Sequence, residues 1–302
     1  MTAPRPRVVF DTDLGTDVDD ALALALLLGA SDSIDLLAVT TVYGDTLLRA
    51  RLAQRYAGLA GRHLDVHAGE SATHSGREVW WAGHEGTLHE GLERESVSAE
   101  SGVDALVRLV TAEPGTVDVI AVGPLTDIAA AIRRDDRFAG SVRRLWLMGG
   151  AFGTGETEHN IRSDADAART VFAAGIPTVI AGLEVTQRIA MRAEQLDEIR
   201  AAGALGEALH RDIRQWWEFW SETWNVPHDP VTVLALLRPE LVALSEPGAV
   251  TVGLGGDPEE DGFTTFTPDA SGSTRLVVDL DPEAVSAAIV AGVQAAGRPL
   301  EE

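Results

Sequence analysis

Cysteine is absent from this 302-residue chain and so is lysine: all 24 basic residues are arginine, against 47 acidic ones. Without thiols there is no disulfide framework, no cysteine nucleophile and no thiolate metal site, so any metal must be held by oxygen or imidazole ligands. Without lysine there is no Schiff-base amine and no phosphate-binding lysine of the Walker or kinase type. A formal net charge of -23 repels phosphodiester backbones at long range, and no block of arginines interleaved with aromatics offsets it. Nucleic acid and anionic membrane are therefore not expected partners. Long apolar runs are missing too. No segment reaches about 18 uninterrupted apolar residues, and Met1 to Arg7 leads straight into a strand pattern without the apolar stretch of a signal peptide. The expectation is a soluble, cytoplasmic protein.

What is present is an alternation of short apolar runs with longer helical patterns. Val8 to Phe10 reads as a strand ending in Asp11, followed by a Gly-containing loop and an apolar helix over Ala21 to Leu28. The unit recurs: Ile34 to Val42 then Thr46 to Leu59, Val117 to Val122 then Leu125 to Ile132, Leu145 to Met148 then Ala165 to Ala174, and Thr178 to Ile180. Repeated β-α units predict an α/β fold with a mostly parallel, Rossmann-type central sheet flanked by helices. Residues 193–226 read as wholly helical. Val250 to Asp281 reads as a small antiparallel region before a last helix over Pro282 to Ala296. No repeat, linker or low-complexity block divides the chain, so one domain over 1–302 is expected. Sheets of this type bind ligands at the carboxyl ends of their strands.

Five carboxylates, Asp11, Asp13, Asp17, Asp19 and Asp20, fall within ten residues on the loop after the first strand, with no base among them. Carboxylates this close repel and raise one another's pKa unless a cation or a helix N-terminus compensates. A solvated, N-capping acidic loop is the bland alternative. An EF-hand fails, because its sixth and twelfth positions, counted from Asp11, are Thr16 and Leu22 rather than Gly and Glu. A haloacid-dehalogenase-type phosphotransferase also opens with Asp-x-Asp after a strand, but the lysine-free chain lacks the usual phosphate-binding lysine. Gly253 to Gly256 does not lead from a strand into a helix, so no dinucleotide site is expected there.

The segment from Asp11 to Leu24 resembles the opening signature of the inosine-uridine preferring nucleoside hydrolase family, Asp-x-Asp-Pro-Gly-x-Asp-Asp-Ala. Leu14 stands for Pro, and the loop is two residues longer. Aligning Asp19-Asp20-Ala21 with the family's Asp-Asp-Ala keeps the helix start in place and leaves Asp17 as the rival. Further likenesses follow in the family's order. Thr40 to Asp45 resembles Thr-Thr-x-x-Gly-Asn, Gly123 to Asp127 resembles Gly-Pro-Leu-Thr-Asn, and Leu147 to Ala151 contains Met-Gly-Gly. Glu158-His159-Asn160 resembles Glu-Phe-Asn, His84-Glu85-Gly86 stands where the family has His-Gly, and His228-Asp229-Pro230 matches the late His-Asp-Pro.

The resemblance implies cleavage of the N-glycosidic bond of a ribonucleoside, with a calcium ion and a homodimeric or homotetrameric assembly. Asp13 would bind calcium and take the proton of the attacking water. Asp20, Asp229 and the backbone carbonyl of Val122 would complete the protein's ligands, and Asp11 would orient Asp13. Asp19 and Asn160 would hold the 2′- and 3′-hydroxyls and Glu158 the 5′-hydroxyl. His228 and His84 would face the leaving base. Hydrolysis of another N-riboside, such as nicotinamide riboside, and ribose binding without turnover remain alternatives.

The aromatics add a specificity expectation. Trp216, Trp220 and Trp224 recur every four residues, beside Trp217 and Phe219, and Trp80-Trp81 precede His84. Core packing would explain the stripe equally well, but indoles facing the base would favour purine nucleosides. His63, His67, His74 and His210 show no ligand spacing and read as surface or turn residues.

Overall fold

The computed structural model describes residues 5–255 and 261–299. In chain order the elements are β1 (Arg7–Thr12), α1 (Asp19–Gly29), β2 (Asp35–Thr41), α2 (Thr46–Leu59), β3 (Val66–Ala68), α3 (Gly102–Ala112), β4 (Val117–Ala121), α4 (Thr126–Arg134) and α5 (Phe138–Ser141). They continue with β5 (Val142–Met148), α6 (His159–Ser163), α7 (Ala165–Ala173), β6 (Thr178–Ala181), α8 (Leu183–Thr186), α9 (Ala193–Arg200), α10 (Gly203–Trp220) and α11 (Asp229–Leu237). The last are β7 (Val242–Leu244), β8 (Gly248–Gly253), β9 (Phe263–Pro268), β10 (Thr274–Leu280) and α12 (Pro282–Ala296). None of the described helices is long and apolar enough to cross a membrane.

The strands form one sheet in the order β3-β2-β1-β4-β5-β6-β10-β8-β9, with β7 also paired to β10. All pairings from β3 through to β10 are parallel. Alternation along β1 explains the two layers. Val8 and Phe10 enter one core with α1, α2, α10, α11 and α12, while Val9 enters the other with α3, α4 and α7. Burial on both faces is why β1 reads as an unbroken apolar run.

Helix α1 is buried on every side from Asp19 to Leu28. Leu22, Leu24, Leu26, Leu27 and Leu28 each contribute roughly 1.5–3 kcal/mol by leaving water. Their sum can offset the cost of carrying Asp19 and Asp20 into a buried first turn.

Two expectations change at the carboxyl-terminal half. Residues 193–226 are not one helix: the chain turns between α9 and α10, with Gly203 at φ +68°, and α10 ends at Ser221, which adopts a left-handed conformation. The Val250–Asp281 region is antiparallel only between β8 and β9 and where β10 meets β8 and β7. On its other edge β10 runs parallel to β6 and so extends the main sheet. Part of the turn expected between β8 and β9, with Gly256, lies outside the described residues. His67 is a further correction: it is buried in β3, its Nε2 3.1 Å from Asp65.

Candidate active site

The sheet changes direction at β1. From there the chain fills β2 and β3 on one side and β4, β5 and β6 on the other, so a crevice opens at the carboxyl ends of β1 and β4. Asp13 follows β1, and Val122 and Gly123 follow β4. The Val122 N–H donates to the Asp11 carbonyl (2.9 Å), which fixes the two strand ends together. Gly123 is required by this approach: a Cβ there would lie 2.8 Å from the Asp13 carboxylate. A cavity of about 1260 Å³ opens above these ends, and Asp13, Asp17, Asp19, Asp20, Val122 and Asp229 all line it.

Asp19, Asp20 and Asp229 each place one carboxylate oxygen within 4.8 Å of the others. Asp20 is oriented by the Thr12 hydroxyl, which donates to its Oδ1. Asp19 receives the N–H groups of His228 (3.0 Å) and Asp229 (3.3 Å), so it seats the N-terminus of α11 against the start of α1. Asp13 shares the same cavity wall outside this trio. Asp11 is not among the residues lining the cavity: its carboxyl accepts a hydrogen bond from the Thr40 hydroxyl at 2.5 Å, and the Asp127 carboxyl lies beside it. Burial and the repulsion of the two neighbouring carboxyls both raise their pKa values.

Electrostatics follow from burial. Desolvation pushes Asp11 and Asp19 up to about 7. It lifts Asp17, Asp20, Asp127 and Asp229 well above the usual carboxylate range, with mutual repulsion adding to the rise. Asp13 is also raised, against the opposing charge of Arg49. Burying an isolated carboxylate is expensive, and several together are more so. A cation among Asp19, Asp20 and Asp229 would remove both costs. The all-oxygen donor set, with nearby carbonyls to add, suits a hard divalent ion.

The sugar-facing candidates are bound to their own loop. Glu158 caps α6 through the N–H groups of Asn160 (2.7 Å) and Ile161 (3.0 Å) and also accepts from the Gly150 N–H (3.1 Å). Asn160 donates its amide to the Val122 carbonyl at 2.7 Å. His228 also lines the cavity, with Nδ1 2.8 Å from the Thr186 hydroxyl, and burial pushes it down to about 4.

Comparison with known proteins agrees with this arrangement. The sequence profile of the inosine-uridine preferring nucleoside hydrolase family matches residues 8–287. The chain belongs to that family. A probable uridine nucleosidase of Arabidopsis thaliana is 29% identical over 80% of each chain. A pyrimidine-specific ribonucleoside hydrolase of Citrobacter koseri is 32% identical over 79% of this chain and 81% of the relative. Among solved structures, a plant nucleoside hydrolase superposes with a TM-score of 0.85 at 25% identity, covering 96% of this chain and 99% of the other. A purine-preferring ribonucleoside hydrolase of Gardnerella vaginalis shares the fold, with a TM-score of 0.81 at 23% identity over 96% and 99% of the two chains.

In this nucleoside hydrolase the aromatic candidates separate. Trp80, Trp81, Trp216 and Trp220 line the cavity. Trp217 does not: it is 2% exposed, with its indole N–H on Asn225 Oδ1 at 2.8 Å. Trp224 lies beyond the end of α10, is absent from the cavity lining and stacks under Arg192. His84 sits behind the wall, its Nε2 2.8 Å from the Thr16 carbonyl and its ring edge-on to Trp216 and Phe219.

The hydrolase also has a residue that sequence patterns did not single out. Arg49, on α2 and 1% exposed, donates to the carbonyls of Tyr43 (2.7 Å), Leu14 (3.0 Å) and Asp13, and lies 4.9 Å from the Trp81 ring. One guanidinium thus ties the acidic loop to the aromatic wall. Its only sequence signal was a charge within a helical pattern.

Proposed function

We propose that this chain, as one catalytic domain over 1–302, hydrolyses the N-glycosidic bond of ribonucleosides to free base and ribose with calcium as its resident ion, purine nucleosides being slightly favoured. The observation that carries the proposal is the convergence of buried Asp19, Asp20 and Asp229 beside Asp13, on the floor of a cavity with Glu158 and Asn160 on one wall and indoles on another. Asp13, Asp20, Asp229 and the Val122 carbonyl would hold the ion, and Asp19 is close enough to share in it. Calcium, when bound, supplies the charge that acidifies water and fixes the ribose hydroxyls.

The protein's own groups do the rest. Asp13 takes the proton of the attacking water from below the anomeric carbon. Asn160 orients the Val122 carbonyl through its amide and leaves its Oδ1 for a ribose hydroxyl. Glu158, tied to three backbone amides, is pre-set to receive the 5′-hydroxyl. His228 meets the departing base. The breadth of the cavity and the indoles of Trp80, Trp81, Trp216 and Trp220 support purines, because a larger π surface gains more from stacking, about 1 kcal/mol per contact. The same reading places the protein in the cytoplasm as a homodimer or homotetramer.

The test is release of free base from inosine, adenosine, uridine, cytidine and nicotinamide riboside, before and after chelation. Turnover that chelation abolishes and calcium restores is expected, with inosine modestly ahead of uridine. No cleavage of any riboside, or cleavage indifferent to chelation, would reject the proposal.

A further inference from the structure

His159 stands where the family pattern Glu-Phe-Asn carries phenylalanine, and it opens α6 on the wall of the cavity. Its ring is half-buried and held by edges: the Tyr43 ring at 6.2 Å and the Trp80 ring at 6.0 Å, both close to perpendicular. Trp80 meets Phe219 edge-on in turn, so His159 is part of the same aromatic wall that α10 completes. Packing of that kind needs only the phenylalanine. What histidine adds is a nitrogen able to carry and release a proton near neutrality.

Its nitrogens are not committed elsewhere. Nε2 has one long contact, 3.4 Å to the Ser163 hydroxyl, and Nδ1 has no hydrogen-bond partner among the described residues. His228, by comparison, has Nδ1 engaged by Thr186, which leaves a single nitrogen for substrate. His159 is also near the reacting centre. It lines the same cavity as Asp13 and Val122, at the carboxyl ends of β1 and β4.

We propose that His159 is a second leaving-group acid, handing a proton to the departing base while Asp13 takes one from the attacking water. This rests on the hydrolase reading of the site. The bond between C1′ and the base nitrogen breaks with its electron pair going to the base, and a base heteroatom takes the proton of His159. The hydroxyl of water joins C1′ and its proton goes to Asp13. Exchange through solvent then returns both groups to their starting forms.

The experiment compares two leaving groups on the full-length protein with calcium added. Inosine and uridine need a proton on the departing base; 4-nitrophenyl β-D-ribofuranoside releases a nitrophenolate that needs none. His159→Phe restores the family's residue and its packing, and His159→Gln keeps a hydrogen-bonding side chain with no transferable proton. We expect both variants to lose about a hundredfold in kcat on the nucleosides, the low end of what a positioned acid contributes, and to lose far less on the nitrophenyl riboside. Nucleoside turnover by His159→Phe within about threefold of wild type, or an equal loss on both leaving groups, assigns His159 to packing and overturns the proposal. Wild-type protein inactive on every substrate overturns the hydrolase reading and this proposal with it, and that failure is visible before any variant is made.

Discussion

Arg49 holds the acidic loop in shape. It supplies hydrogen bonds to three backbone carbonyls and is itself enclosed. Replacement by methionine fills similar space but leaves those acceptors without a donor and Asp13 without an opposing charge that offsets its burial. Breaking a buried charged network of this kind costs about 3 kcal/mol or more. Arg49→Met should therefore lower stability in urea by that amount, and an unfolding midpoint unchanged from wild type would show that the loop holds itself. Asp13 has the opposite profile, because its role is chemical. Asp13→Asn keeps an oxygen for the ion while removing the base, so turnover should fall by about two orders of magnitude or more with the fold intact. Single-turnover assays beside a thermal melt decide it. Near-normal turnover would take Asp13 out of the reaction.

At the scale of elements, the end of α10 decides which indoles can meet a base. Trp216 and Trp220 lie one turn apart and both reach the cavity, whereas the left-handed Ser221 carries the chain off axis before Trp224. The ratio of kcat/KM for inosine and uridine should shift toward uridine in Trp216→Leu and Trp220→Leu and stay put in Trp224→Leu. A ratio moved by Trp224→Leu alone would relocate the base. The i, i+4 spacing of the three tryptophans could not show this, since periodicity says where a helix would point and not where it stops. The β-α units were legible because strands buried on both faces are mostly apolar, as in Val8 to Phe10 of β1 and in β4, where Asp118 is the one polar residue. β10 was not, because its partner β6 lies about a hundred residues earlier and nothing within a strand's own sequence marks its neighbour's direction. In the site, Asp13, Asp20 and Asp229 were legible as motif positions. Arg49, Tyr43 and Thr186 were not, because each acts through a carbonyl, a hydroxyl or a ring that only the fold brings near.

For the whole molecule, the concentration of acid sets how stability answers to pH. Asp11 and Asp19 rise from an ordinary 3.8 to about 7 on folding. Asp13, Asp17, Asp20, Asp127 and Asp229 rise as well, chiefly by burial. Without a cation the folded chain thus binds more protons than the unfolded chain between about pH 4 and pH 7, and its stability increases as pH falls through that window. His228 works the other way. Pushed down from 6.5 to about 4, it favours the fold above pH 6.5, and that contribution is lost as pH falls toward 4. Seven raised carboxyls outweigh one depressed imidazole, and relief of repulsion in a chain of net charge -23 acts in the same direction. A divalent cation reverses the dependence because it needs the ionised carboxylates and competes with protons for them. Chelated protein should therefore melt at a higher temperature at pH 5.5 than at pH 8, while the gain in Tm on adding calcium should be largest at pH 8 and shrink toward pH 5.5. Thermal scans at fixed ionic strength measure both. A chelated protein that loses Tm steadily from pH 8 to pH 5.5 would mean that the buried carboxyls stay ionised without a cation. A calcium increment independent of pH would place the ion away from Asp19, Asp20 and Asp229.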